Sequence, residues 1–430
     1  MNRKQTILSL SLAWGISLLA AAPEISGLTV RQRWPWDAKV DIDFTLSAGD
    51  PADVDLSVTY DGCMRPLDLG TITRASAGAH HVVFDPAAYG LTNAPLTNFK
   101  VTADVGLVSD RTFLELDLVS NTKTYHATKP TMYYEDQSVG YGYHNRKMLF
   151  RRVAAGTYPL GYSGAMLNVI IPNDGETTTT LGTRRRTPAV TTTLTSDYYI
   201  SVYKVTAGHH AYLCDDSTKM GNVSTTAQKM IDLRGKPSEG WNWPTSGFAV
   251  ADDSLVKTYR ARIKNLVPHG WILDLPTGAQ LAVAQRAGES TDHFWSIPSE
   301  YQATVKPCDA TATTTDMTNT CDAVAIWAHN KQSFSSPAMG GQRMPNAWGL
   351  YDTSGISVET YIGVGYGAYF GGTDPTGTAL ESDTANGSCL AGSSADPIRA
   401  LVPGEAYGCA ANLAVAFRLV LNTRNWLADK

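Results

Sequence analysis

Pro345-Asn346-Ala347-Trp348-Gly349-Leu350-Tyr351-Asp352-Thr353-Ser354-Gly355-Ile356-Ser357-Val358-Glu359-Thr360 is the stretch on which the reading of the second half of the chain turns. Pro-Asn at its start is a turn signal, and Ser354-Gly355 is another. Gly349 and Gly355 suggest backbone that bends where a Cβ would interfere. Two carboxylates, Asp352 and Glu359, flank the second turn, and a loop that folds back would bring both to one hard cation. A packed turn in which Asp352 accepts a neighbouring amide accounts for the same residues without an ion. On spacing alone the second reading is preferred.

Four other segments agree with this one in order. Val153-Ala154-Ala155-Gly156-Thr157-Tyr158-Pro159-Leu160-Gly161 precedes Tyr198-Tyr199-Ile200-Ser201-Val202-Tyr203-Lys204-Val205-Thr206. Leu275-Pro276-Thr277-Gly278-Ala279-Gln280, with Ala284-Gln285-Arg286-Ala287-Gly288 after it, comes next, and Ala416-Phe417-Arg418-Leu419-Val420 closes the set. Together with Asn346 to Asp352, these segments resemble the formylglycine-generating enzyme family, also called sulfatase-modifying factors. The resemblance implies a C-type-lectin-like α+β domain rich in loops. It speaks for fold more strongly than for chemistry.

Enzymes of that family oxidise a sulfatase cysteine to formylglycine, using oxygen and a copper ion held by two cysteines placed after a Gly-Gly-Ser segment. The nearest match is Gly371-Gly372-Thr373-Asp374, and the two ligand positions then fall on Thr376 and Glu381. Neither is a thiolate, so the resemblance gives no copper pair here, and copper is not expected. No catalytic residue is assigned. The family's structural calcium carries over better, onto Asp352, Gly355, Ser357 and Glu359, the middle two through backbone carbonyls. A second family calcium position falls on Ala325 and is doubtful.

The chain has 430 residues, 43% of them hydrophobic, enough for two cores. Its net charge of -5 gives no global basic field, so nucleic acid is not expected as a partner. Residues 1–22 read as a signal peptide: Arg3 and Lys4, an apolar run from Ile7 to Leu19, then Ala20-Ala21-Ala22. No later stretch reads as a transmembrane segment, so the mature chain is expected to be secreted, periplasmic or at the cell surface. The six cysteines fit an oxidising compartment. Proximity suggests Cys308 with Cys321 and Cys389 with Cys409, each crosslink contributing ~3 kcal/mol in the chain-entropy model. Cys63 is free or reaches Cys214.

Residues 23–126 alternate polar and apolar with period two, as in Val40-Asp41-Ile42-Asp43-Phe44 and Phe113-Leu114-Glu115-Leu116-Asp117. Such short strands between turn signals predict an immunoglobulin- or fibronectin-like all-β sandwich, which needs about seven. Trp34 and Trp36 are expected to pack on one end of it. Residues 127–146 form a connector and 147–430 the family-like domain, in which Ser224–Leu233, Asp253–Leu266 and Ala279–Ala287 read as helices, the last capped near Pro276-Thr277. Of His209-His210, one is expected to pack and one to be solvated. Trp241 and Trp243, and the Gly363–Thr376 loop with Tyr366, are candidate ligand contacts. Trp327 and Trp348 read as core.

Three functions compete. The first is a non-catalytic module that recognises a surface ligand, protein or carbohydrate, or has a structural role. The second is a formylglycine-generating oxidase with rearranged cysteines. The third is an enzyme of other chemistry on the same scaffold.

Overall fold

The computed structural model describes residues 22–91, 95–130, 146–160, 190–205, 254–289, 343–353, 371–375 and 416–423, with shorter stretches at 209, 212–213, 341, 359–361, 388–390 and 406–408. Six strands come first: β1 (Glu24–Gln32), β2 (Val40–Ser47), β3 (Ala52–Thr59), β4 (Leu67–Ala75), β5 (Gly78–Phe84) and β6 (Lys100–Leu107). They make two three-stranded antiparallel sheets, ordered β1-β2-β5 and β4-β3-β6. Alternate residues of β2 (Val40, Ile42, Phe44, Leu46) and of β3 (Ala52, Val54, Leu56, Val58) enter one shared core with Val82 and Phe84. That is the result expected of a period-two pattern with one apolar side.

Trp34 and Trp36 do not pack as expected. They are 41% and 88% exposed, on the turn that follows β1. Nearby Arg31 and Arg33 both grip the buried Asp41 carboxylate (2.9 and 2.6 Å), so the polar side chains are anchored and the rings are left outside.

The remaining strands belong to the second half: β7 (Phe113–Asp117), β8 (Thr122–His126), β9 (Lys147–Val153), β10 (Gly156–Leu160), β11 (Val190–Leu194), β12 (Tyr198–Ser201), β13 (Ile272–Asp274), β14 (Glu359–Tyr361), β15 (Gly372–Thr373), β16 (Ser388–Leu390), β17 (Ala406–Gly408), β18 (Ala416–Phe417) and β19 (Val420–Asn422). The helices among the described residues are α1 (Ser254–Ile263) and α2 (Gly278–Arg286), with isolated helical residues near 209–213. The expected helix at 224–233 lies outside the described residues.

An antiparallel six-stranded sheet, β13-β19-β12-β9-β7-β8, is the spine. By strand pairing, this sheet begins before the expected connector at residues 127–146. β7 and β8 are not part of the N-terminal pair of sheets, because β7 pairs along its length with β9, Leu114 opposite Phe150 and Leu116 opposite Met148. By strand pairing the division falls between Leu107 and Phe113.

Both faces of this sheet are covered, so alternate residues go to different cores rather than to core and solvent. In β12, Tyr198 and Ile200 face one core and Tyr199 the other. In β19, Val420 and Leu421 divide the same way. α2 packs Leu281 and Val283 on the first face; α1 packs Tyr259 and Ile263 on the second. Among the described residues, no helix is long and apolar enough to cross a membrane.

The two halves meet through buried charge. Arg152 of β9 donates Nη2 to Asp53 of β3 at 3.1 Å and Nε to Asp197 at 2.7 Å, and all three side chains are at most 4% exposed. Arg111, also buried, reaches Asp55 at 2.8 Å and lies over the Tyr125 ring. Burial lowers the pKa of each guanidinium. For Arg152 the Asp53 hydrogen bond and nearby charges outweigh that and leave it raised, and for Arg111 the field of Asp55 leads the same outcome. Removing one partner of such a pair leaves an uncompensated buried charge. Arg152→Met is therefore expected to lower unfolding stability by about 3–5 kcal/mol. Chemical denaturation of the full chain checks this, and an unchanged midpoint would mean that Asp53 and Asp197 are satisfied without the arginine.

Candidate functional site

The Pro345–Thr353 stretch is held by a side chain that sequence reading passed over. Asn346 is 2% exposed. Its Nδ2 donates to the carbonyls of Ala284 and Gln285 at 2.9 and 3.1 Å, satisfying the carbonyl end of α2. Its Oδ1 accepts from the Trp348 and Leu350 amides at 3.1 and 3.0 Å. Gly349 sits at φ 80° in this turn, and a Cβ there would come within 3.3 Å of the Lys129 side chain. Lys129 itself donates to Tyr351 Oη at 2.9 Å, so the start of the expected connector is tied to this loop. Arg418 fastens the other side. Its Nη1 donates to the carbonyls of Ser201 and Val202 at 3.1 and 2.8 Å, and Nη2 donates to the Tyr351 carbonyl.

Asp352 is buried, at φ 56°, and its Oδ2 accepts from the Gly341 amide at 2.7 Å. This is the amide-capping arrangement that the spacing favoured. Gly355 and Ser357 lie outside the described residues. Glu359 opens β14, opposite Leu390 and beside Ala416.

The Gly371–Asp374 segment, where the resemblance looks for the approach to the copper cysteines, forms β15 and runs parallel to β11. Asp374 locks it in place: its amide donates to the Thr193 carbonyl at 2.8 Å, and its carboxylate accepts from the Thr195 amide at 2.8 Å and from the Thr195 hydroxyl. Beside this clamp lies a cavity of about 320 Å³, open to solvent, between the β11–β12 turn, the start of α2 and the end of β19. Thr277 caps α2 reciprocally with Gln280, as the Pro276-Thr277 signal predicts. Gln280 Nε2 then donates to Asn422 Oδ1 at 2.7 Å, joining the helix start to β19 on the cavity wall. Asp197 also lines it, bound to Arg152 and to the Ala155 amide.

Several expected residues find a place. His209 is buried and its Nε2 lies 2.9 Å from the Lys147 carbonyl, whereas His210 is outside the described residues. Trp348 is half-buried and meets Tyr158 edge-on at 6.1 Å, part of the packing around the first core. Cys63 is free. In the β16–β17 pair Cys389 stands opposite Tyr407, and Cys409, the residue after β17, lies outside the described residues. Cys214, Cys308, Cys321, Trp241, Trp243, Trp327, Tyr366, Thr376 and Glu381 lie outside the described residues. Among the described residues, no group of three His, Cys, Asp or Glu side chains is placed to hold a metal.

Compared with known proteins, residues 153–362 match the family described as "Sulfatase-modifying factor enzyme 1-like domain". The match begins at the end of β9 and ends just after β14. No curated protein matches the chain. Two solved structures are similar. Treponema denticola variable protein 1 is 17% identical, over 64% of this chain and 95% of that one, with a TM-score of 0.41. PvdO from Pseudomonas aeruginosa is 18% identical, over 64% and 94%, with a TM-score of 0.42.

The Asn346 clamp gives a direct test. Asn346→Ala strands two helix carbonyls and two loop amides in a dry setting, and is expected to cost at least ~2 kcal/mol. Thermal or denaturant unfolding measures it, and a loss confined to a few tenths of a kcal/mol would show that water replaces the amide.

Proposed function

Residues 153–362 form a sulfatase-modifying factor enzyme 1-like domain, and from that premise we propose that the protein is an exported, non-catalytic module that recognises a ligand or plays a structural part at the cell surface. The observation that carries the proposal is the replacement of the family's two copper ligands by Thr376 and Glu381. Copper(I) chemistry of this kind needs two soft thiolates, and a hydroxyl and a carboxylate are hard oxygen donors. The residues present do not fit the metal, and no oxidative step is derived through it.

What stands next to that segment suits binding. The cavity beside Gly372–Asp374 is walled by hydroxyls, amides and two carboxylates engaged in holding the fold. Recognition from loops on a rigid scaffold is a common arrangement. The surface ligand, protein or carbohydrate, would sit here; Trp241, Trp243 and Tyr366, the other candidate contacts in the sequence, lie outside the described residues. The domain is taken as C-type-lectin-like, and the N-terminal pair of sheets as an immunoglobulin- or fibronectin-like spacer. Export rests on Arg3, Lys4, the Ile7–Leu19 run and Ala20–Ala22.

A formylglycine-generating oxidase with rearranged cysteines is the second reading. It draws on Cys389 and Cys409, which follow the Gly371–Asp374 segment in sequence. A structural disulfide between those two cysteines, proposed from their nearness in sequence, consumes both sulfurs. Incubating the purified protein with copper and a sulfatase-type cysteine peptide separates the readings. No aldehyde is expected by mass spectrometry. Turnover that vanishes in Cys389→Ser or Cys409→Ser would establish the oxidase.

The structural calcium is proposed on Asp352 and Glu359 with the carbonyls of Gly355 and Ser357, an all-oxygen donor set suited to a hard cation. Asp352 supplies a buried carboxylate with one oxygen already fixed by Gly341. Calcium binding the native state alone would raise the melting temperature of the parent with added calcium and leave Glu359→Ala unmoved. A parent that melts at the same temperature with and without calcium would rule the ion out.

A further inference from the structure

The cavity beside Asp374 has a charge pattern that narrows its ligand, and the inference rests on the recognition reading just given. Two carboxylates line it, and none of the described lining residues is Lys, Arg or His. The Asp197 carboxylate is neutralised from behind by Arg152 at 2.7 Å and Arg74 at 3.6 Å. Asp374 has no such counter-charge in the lining. It is exposed at the rim, and its two oxygens accept only the Thr195 amide and hydroxyl in the contacts described above. A carboxylate oxygen has two lone pairs, so each retains an acceptor site. The carboxylate is also preorganised, because the parallel β11–β15 pairing and the bond from its own amide to Thr193 fix its backbone.

The opposite wall offers neutral donors. Thr277 Oγ1 accepts from the Gln280 amide at 3.2 Å and keeps its proton to give. Asn422 accepts through Oδ1 from Gln280 and keeps its NH2 group. Ile272, 42% exposed, supplies an apolar wall between them and solvent. An anion would face Asp374 with no cation among the described lining residues to receive it, which disfavours it. A cation with oxygen atoms a few bonds away uses both walls.

We infer that this cavity takes a compact primary-ammonium ligand that also carries hydroxyl or carbonyl oxygens. The ammonium sits on Asp374, and the oxygens accept from Thr277 and Asn422. At about 320 Å³ the cavity is at the small end of ligand pockets, the size for one sugar ring or one side chain rather than a long chain. An amino sugar and the lysine of a peptide share this chemistry.

The experiment titrates the full chain at low ionic strength with two matched pairs: glucosamine against N-acetylglucosamine, and Nα-acetyl-lysine amide against Nα-acetyl-norleucine amide. At least one amine is expected to bind about tenfold more tightly than its neutral partner, as a charge-assisted hydrogen bond warrants. Which pair responds identifies the source. Asp374→Asn keeps the shape and the Thr195 amide bond but not the charge, and is expected to erase the preference. Ser196→Trp, at the exposed rim, is expected to block both amines without touching the clamp. Neutral partners that bind as tightly as the amines, amines that do not bind at all, or a preference that survives Asp374→Asn would each overturn the inference. None of these outcomes bears on catalysis: aldehyde formation in the copper assay sinks the recognition reading by itself.

Discussion

Arg152 is the residue on which the arrangement of the two halves depends. It stands in β9, in the middle of the six-stranded sheet, and its guanidinium holds Asp53 from the N-terminal half and Asp197 from the turn before β12. Buried ion pairs add little net stability over well-packed apolar groups, but they punish misplacement severely. The geometry leaves few alternatives. Asp53 also accepts the Arg74 amide at 3.0 Å, and Asp197 accepts the Ala155 amide at 2.7 Å, so neither carboxylate is free to follow a shifted arginine. The Tyr199 hydroxyl adds a bond to the Arg111 carbonyl at 2.8 Å from the same sheet. The contact therefore sets orientation more than it adds energy, and it places the N-terminal sheets against a sheet rather than at the end of a tether.

Among the described residues of the second half, helix ends and turns leave backbone polar groups that the sheets and helices do not pair. Four side chains take over that task, of which Asn346 and Arg418 are buried. Asn346 closes the carbonyl end of α2 and two amides of its own turn. Arg418 closes the carbonyls of Ser201, Val202 and Tyr351. Thr277 and Gln280 close the start of α2. Asn346 and Arg418 bring together segments far apart in sequence, and each is a side chain with several donors or acceptors in fixed directions. This is why Asn and Arg, rather than leucine or valine, occupy buried positions in the segments Asn346–Asp352 and Ala416–Val420.

Period-two alternation marked β2, β3 and β7 as strands because each has a buried apolar side. It could not say which sheet β7 joins. Phe113-Leu114-Glu115-Leu116-Asp117 satisfies the same pattern in either half, and only the pairing with Met148 and Phe150 of β9 decides. The helix over 279–287 was readable from its cap, since Thr277 and Gln280 stand at the required spacing. Asn346 was not, because a Pro-Asn pair signals a turn whether its amide faces solvent or a helix end 62 residues earlier. Trp34 and Trp36 misled for a related reason: the tendency of indoles to bury is an average over sites, and here the ion pairs to Asp41 hold the neighbouring arginines and leave the rings to the turn. The cavity was invisible for the simplest cause, that Thr195, Asp374, Thr277 and Asn422 are scattered over more than two hundred positions and look like ordinary surface residues one by one.

Fold and chemistry are separable in this chain because they rest on different atoms. The residues that hold the scaffold, Asn346, Arg418, Thr277 and the alternating apolar positions of β12 and β19, bond to backbone or pack in the two cores, and none contributes a thiolate. Oxygen donors at Thr376 and Glu381, where the resemblance looks for two thiolates, therefore bear on the proposed lack of soft-metal chemistry and not on the described bonds that support the sheet. The clamp between Asp374 and Thr195 remains, and it keeps β15 against β11 whatever follows it. A cleft whose walls are maintained by such bonds owes its shape to them and not to a bound metal. Its polar groups then define what can enter, and a carboxylate fixed at the rim, with no cation among the described lining residues, is the strongest of them.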